Sequence, residues 1–227
     1  MSNDTFTSGG NAYNMTVSSA PADGKKHPMI LVVHGNAGLT PPFGDQIDRF
    51  AKSLAALGYV TAVPQYYSDS LLHLTDGDPR PHVPTLTDAI AKVASRADAD
   101  PDRLGLVGYS LGAGISMTYI ASNAPGKVKV LVDFFGPIEG NSIIAAGVGK
   151  FPPTLILHNT KDDVVKFVPN SKTLDGLLPK SVEHLLISYA ENFPELRCHP
   201  FIPNGVADVD SRRKATEWVL RHLPPTK

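Results

Sequence analysis

Cysteine is nearly absent from this 227-residue chain: Cys198 stands alone, so no intrachain disulfide can form. Such usage suits a reducing compartment. Net charge is also nearly absent. With 21 Lys and Arg against 22 Asp and Glu, the formal charge is −1, which gives no electrostatic reason to expect nucleic acid or an anionic membrane as a partner. The longest apolar runs, residues 29–33 and 128–132, have the length of strands and fall far short of a bilayer span. The opening MSNDTFTSGGNAYN lacks the basic start and apolar stretch of a secretory signal, so a cytoplasmic location is expected and the N-x-T sequons at Asn3 and Asn14 read as chance matches. There is no H-E-x-x-H, no C-x-x-C and no P-loop. Gly112-Ala113-Gly114 does not extend to G-x-G-x-x-G, so neither a metal nor a cofactor is expected.

What recurs is a short β-branched or apolar run, a turn, and then a helical pattern. Strands are predicted at 29–34, 59–63, 104–107, 128–134, 154–158 and 184–189. Between them, Ile47, Phe50, Ala51, Leu54 and Leu57 share one helical face that ends at Gly58. Further helices are predicted at 85–96, 111–123, near 165–177, and at 211–222. This order argues for an α/β fold in one domain over 1–227, with a mostly parallel sheet and helices on both faces. Residues 65–84 hold neither period and are crowded with Pro, Gly and Asp, while 138–150 is ambiguous. Both are expected to be irregular segments lining a pocket.

The most informative string is Gly108-Tyr109-Ser110-Leu111-Gly112, set between a predicted strand and a predicted helix. A serine on so tight a turn is held in a strained conformation with its hydroxyl projecting from the sheet, and a side chain at either flanking glycine would collide with backbone. Ser110 is therefore the candidate nucleophile. The helix behind it offers the Leu111 N–H to a developing oxyanion, and the loop His34-Gly35-Asn36-Ala37-Gly38 after the first strand offers the N–H of Asn36. His34 is expected to hold that loop rather than to move protons.

A serine needs an oriented base, and in hydrolases with this turn the chain order is Ser, then Asp or Glu, then His. Asp162 and Asp163 both follow the strand at 154–158. Asp162 is favoured, because adjacent residues cannot face the same way and Asp163 suits a helix cap. Of 8 histidines, His199 sits in a loop after the last strand and before the last helix, where an imidazole can reach Ser110. Cys198 beside it reads as a bystander.

With these residues in place the chain resembles the dienelactone hydrolase family over nearly its whole length. The likeness rests on His34 through Thr40, Leu57-Gly58-Tyr59-Val60, Asp102 through Gly112, Phe134-Phe135-Gly136, Asp162 through Val165, and His199-Pro200-Phe201. The resemblance implies a single-domain α/β-hydrolase fold, a nucleophile–Asp–His triad at Ser110, Asp162 and His199, no cofactor, and a small-molecule ester or lactone substrate. The founding members carry cysteine where Ser110 stands and glutamate where Gly35 stands. That glutamate helps manage a thiol, so its loss together with the thiol is chemically coherent. No matched pair of arginines for a substrate carboxylate is evident. Arg80, Tyr66 and Tyr109, and also Arg197, are candidate substrate contacts. Acyl transfer or peptide hydrolysis by the same three residues, and silent ligand binding on this fold, are the rival readings.

Overall fold

In a computed structural model, residues 2–67 and 77–227 are described. Eight strands form one sheet in the order β1-β2-β4-β3-β5-β6-β7-β8. They are β1 (Ser2–Ser8), β2 (Asn11–Ser18), β3 (His27–Val33), β4 (Val60–Pro64), β5 (Ala99–Tyr109), β6 (Val128–Phe134), β7 (Thr154–Asn159) and β8 (His184–Tyr189). From β4 across to β8 every neighbouring pair is parallel, whereas β1–β2 and β2–β4 are antiparallel. The mostly parallel sheet is thus as expected, and the amino-terminal hairpin is an addition to it. Its turn, Gly9-Gly10, places both residues at positive φ (54° and 83°), the backbone that a two-residue hairpin requires. Only Phe6, Ser8, Met15, Val17 and Ser18 of the two strands are buried, so the hairpin carries a weak hydrophobic signal.

The helices are α1 (Phe43–Ala56), α2 (Val83–Ala94), α3 (Leu111–Ser122), α4 (Ser142–Gly147), α5 (Thr173–Leu177) and α6 (Val206–His222). A π-helical turn, Val168–Lys172, leads into α5, so the helix expected near 165–177 is only partly α-helical. Two apolar clusters lie on the two faces of the sheet. On one face, Ile47, Phe50 and Leu54 of α1 and Trp218 and Val219 of α6 cover Ile30 and Val32. On the other, α2, α3 and α4 cover Met29, Leu31 and Val33. Strand β3 alternates between these clusters and is buried throughout, as a central parallel strand must be. Helix α3 is buried at every position but Ser122, because it runs under the sheet with α2 and α4 packed over it. No helix among the described residues is long and apolar enough to cross a membrane.

A carboxyl group sits inside this core. Asp133 on β6 is fully buried: Oδ1 accepts a hydrogen bond from the Gly136 N–H at 2.7 Å, and Oδ2 has no partner among the described residues. Burial pushes its carboxyl from 3.8 up to about 6, against the opposing influence of His158 and the Gly136 N–H. The folded protein therefore holds this proton to a higher pH than the unfolded chain. The contribution of Asp133 to stability falls as pH rises from about 3.8 to about 6 and stays lost above that window. Asp133→Asn is expected to gain about 2 kcal/mol relative to the parent between pH 4 and pH 8. Urea unfolding of both proteins at the two pH values checks this, and a pH-independent difference refutes it.

Candidate active site

The site stands at the carboxyl edge of β3, β5 and β7. Ser110 follows β5 directly and leads into α3, at φ 51° and ψ −123°. That conformation is sparsely populated for any side-chain-bearing residue and costs about 1–3 kcal/mol. Its surroundings enforce it. A Cβ on Gly112 would lie 2.3 Å from the carbonyl oxygens of Val33 and His34, and one on Gly108 would lie 2.3 Å from the Ala113 Cα. The Ser110 N–H donates to the Phe134 carbonyl at 2.8 Å, which ties the turn to the end of β6.

His199 lies in the loop between β8 and α6. Its Nε2 is 3.0 Å from the Ser110 Oγ, and its Nδ1 is 2.5 Å from the Asp162 Oδ2. The carboxylate only accepts, so Nδ1 carries the proton and Nε2 presents its lone pair to the serine hydroxyl. Two side chains and one main-chain bond hold the loop against the turn after β7. Asn159 Nδ2 donates to the carbonyls of Glu191 and Cys198, the Asp163 N–H donates to the Arg197 carbonyl, and Arg197 Nη2 donates to the Asp163 carbonyl. Arg197 and Cys198 both take left-handed backbone there, at φ 54° and 57°.

Asp162 is buried with all its hydrogen bonds accounted for by protein. Oδ1 accepts from the N–H groups of Val164 (2.8 Å) and Val165 (2.9 Å), while Oδ2 faces His199 and, at 3.2 Å, His158 Nε2. Burial works to raise its pKa, but the bonds from His158, His199 and Val164 outweigh this and hold the carboxyl below its ordinary value. The capping role expected of Asp163 falls to Asp162 instead, since its own carboxylate takes the N–H groups of the following turn. Asp163 is exposed, with its side chain 3.5 Å from Arg197. His158 was not singled out from the sequence, where it reads only as the end of a strand. Its Nε2–H donates to the Val165 carbonyl at 2.8 Å, so in the neutral ring Nδ1 accepts the Ser171 hydroxyl at 2.6 Å.

The loop after β3 lies against the serine: a Cβ on Gly35 would be 3.2 Å from the Ser110 Cβ. His34 is buried and donates from Nδ1 to the Gly35 carbonyl at 2.8 Å. Burial lowers its pKa to about 4, against the Gly35 bond, so the ring is neutral at physiological pH. Tyr66 Oη donates to the His34 carbonyl at 2.7 Å, and its ring stacks on His34 at 4.2 Å. Tyr67 Oη is 3.2 Å from Asn36 Oδ1. Leu111 opens α3, so its N–H is one of the leading donors that no carbonyl within the helix can satisfy.

A cavity of about 470 Å³ adjoins Ser110, Gly35, Asn36 and His199. Five aromatic residues stand in its walls: Phe43 from α1, Tyr109 and Phe134 stacked at 4.4 Å, Phe135, and Phe201. Among the candidate substrate contacts, Tyr109 and Arg197 line it. Tyr66 does not, because it is committed to the core behind the loop, and neither does Arg80, which is exposed and pairs with Asp78 at 2.6 Å. Residues 138–150 do not line it either. Ile144 and Gly147 of α4 pack inward, with Gly147 against Ala121 of α3. Of the irregular stretch 65–84, residues 68–76 lie outside the described residues, and the helix predicted from 85 begins at Val83. Cys198 is buried and is not part of the cavity wall.

The dienelactone hydrolase family model matches residues 15–220, nearly the whole chain. The chain belongs to the dienelactone hydrolase family. Solved structures show the same α/β-hydrolase fold at low identity. A putative dienelactone hydrolase from Klebsiella pneumoniae subsp. pneumoniae MGH 78578 is 16% identical, with 96% of each chain covered and a TM-score of 0.74. The thermophilic esterase Est2 of Thermogutta terrifontis, with propionate bound, is 16% identical over 100% of this chain and 96% of that one, at a TM-score of 0.77. Est1E from Butyrivibrio proteoclasticus is 14% identical over 97% and 98%, at 0.74. No curated protein sequence matches the chain. Ser110 and Gly35, where the founding members of this family carry cysteine and glutamate, adjoin in the structure: a Cβ on Gly35 would reach the Ser110 side chain.

Proposed function

We propose that this protein hydrolyses carboxylic ester or lactone bonds through an acyl-enzyme on Ser110, with His199 as base and Asp162 as its orienting acid. The observation that carries the reading is the unbroken hydrogen-bonded line from Asp162 through His199 to a serine held on a strained turn. His199 Nε2 takes the hydroxyl proton as Ser110 Oγ bonds to the carbonyl carbon. The N–H groups of Asn36 and Leu111 receive the oxyanion, each worth about 2.7–4 kcal/mol of barrier. Collapse breaks the bond to the leaving oxygen, which takes the proton from His199. Water then repeats the sequence: His199 accepts its proton, hydroxide adds to the acyl carbon, the bond to Ser110 breaks, and Ser110 recovers the proton. Asp162 stays ionised throughout, in keeping with its lowered pKa.

The Thermogutta esterase 2 has been captured phosphorylated by paraoxon. Paraoxon is accordingly the probe for this chain. Intact-mass measurement is expected to show one diethylphosphoryl adduct, mapping to Ser110, and no adduct on Ser110→Ala. An unlabelled parent, or equal labelling of the variant, refutes the assignment.

A further inference from the structure

Two buried polar side chains that line the cavity beside Ser110 take no part in the hydrolytic steps. Gln46 on α1 lines it and is only 8% exposed, yet its side-chain amide makes no hydrogen bond to another described residue. Asp208, in the first turn of α6, lines the same cavity at 5% exposure. Its Oδ2 accepts from the Asn204 N–H and from Arg212 Nη2, both at 2.8 Å, while Oδ1 has no hydrogen-bond partner among the described residues. The helix-capping bond from Asn204 explains why an acid stands there. It does not account for the Gln46 amide on the wall of the same cavity. The Gln46 amide and the Asp208 Oδ1 are not enclosed, so both offer unused hydrogen-bonding capacity to whatever occupies the cavity.

Resting on the ester-hydrolase reading, we infer that the substrate is an uncharged ester with an aromatic or similarly flat apolar body, whose end remote from the scissile bond carries a hydroxyl recognised by Gln46 and Asp208. The carboxylate accepts only, whereas the Gln46 amide both donates and accepts, so a hydroxyl satisfies both where an ether oxygen satisfies one. The aromatic walls suit a flat body, and about 470 Å³ suits a small molecule. Charge decides the rest. Arg212 neutralises Asp208 from outside the cavity wall. The one cation lining the cavity among the described residues is Arg197, which is 63% exposed, tied to Asp163 and accompanied by Glu195. A carboxylate-bearing substrate would find no buried cation and would face Asp208.

Two matched series test this: methyl 3-arylpropanoates, which vary the acyl side, and 2-arylethyl acetates, which vary the alcohol side. In each, the ring carries 4-hydrogen, 4-hydroxy, 4-methoxy or 4-carboxylate, insulated by two methylenes from the reacting bond. In the series whose aryl half occupies the cavity, the 4-hydroxy ester is expected to exceed the unsubstituted one by about tenfold in kcat/KM. The methoxy ester should show no gain, and the carboxylate should fall at least about tenfold below the unsubstituted ester. Gln46→Leu should bring the hydroxy-to-hydrogen ratio close to one, and Asp208→Asn should shrink the carboxylate penalty. Each comparison is a ratio within one protein, so partial misfolding of a variant cancels. Equal rates for hydroxy and unsubstituted esters in both series, or a preference for the carboxylate, overturn the proposal. If paraoxon labels Ser110 while the ratios are flat, only this inference falls. If there is neither labelling nor turnover, the hydrolase reading falls with it.

Discussion

Ser110→Ala and His199→Ala are each expected to lower kcat on a simple ester by about 10⁶-fold, and the double variant to lower it no further. The reason is geometric. In the proposed mechanism, with Nε2 only 3.0 Å from Oγ, the imidazole takes one proton at the moment that oxygen attacks. Without the hydroxyl there is nothing for the base to activate. Without the base, the hydroxyl is a weak nucleophile with its proton still on. Residues that act as one unit lose their whole effect when either is removed, so the penalties do not add. The Asn36 and Leu111 amides and the cavity walls survive in all three proteins, which should keep a residual rate of about 10³–10⁴ over water. Steady-state rates for the parent, both single variants and the double variant complete the cycle. A double variant reduced by the product of the two single effects would mean that the two side chains act in separate steps.

The sequence exposed this part of the molecule because its constraints are local. Gly108 and Gly112 must be glycine since carbonyl oxygens and an α-carbon crowd both positions, and such crowding leaves its mark within five residues. The strands β6 and β8 were equally plain, being short apolar runs bounded by turns, and their predicted bounds match the observed ones. The hairpin β1–β2 was not legible. Most of its side chains face solvent, and what makes it a strand pair is the register with β4, a long-range fact. Tyr66 was misread for the opposite reason. An aromatic residue next to an irregular stretch looks available to a ligand, and only the tertiary packing shows it spent on the His34 carbonyl. Gln46 carried a readable hint. It stands at i+3 from Phe43 and one residue before Ile47, so a polar side chain adjoins the apolar stripe of α1, but the cavity it enters is assembled from β5, β6, α6 and the His199 loop together. His158 gave none: a histidine closing an apolar strand signals nothing until Asp162, Val165 and Ser171 are placed around it.

Those neighbours make Asp162→Asn the other large and specific loss, about 10⁴-fold in kcat with the fold retained. The asparagine oxygen can still accept from Val164 and Val165, which is the bond pair that shapes the turn. Its amide nitrogen then replaces Oδ2 and points hydrogens at His199 Nδ1, where the native carboxylate accepts one. The imidazole answers by moving its proton to Nε2. In that tautomer it donates to Ser110 Oγ and cannot take the serine proton, so the residues stay in place while the chemistry stops. The ion that should stabilise the imidazolium in the transition state is lost as well. At about 1.36 kcal/mol per tenfold, the combined effect is near 5.5 kcal/mol of barrier. On the other side, the new amide also meets the Nε2–H of His158, but that hydrogen is held chiefly by the Val165 carbonyl at 2.8 Å, so the clash costs little structure. Asp163→Asn serves as the control, because that carboxylate is exposed and 3.5 Å from Arg197 at the rim. Its kcat should stay within about twofold of the parent. Thermal unfolding of both variants, with rates of ester turnover and of paraoxon labelling, separates the cases. A loss under a hundredfold for Asp162→Asn, or a large loss for Asp163→Asn, would move the orienting role away from Asp162.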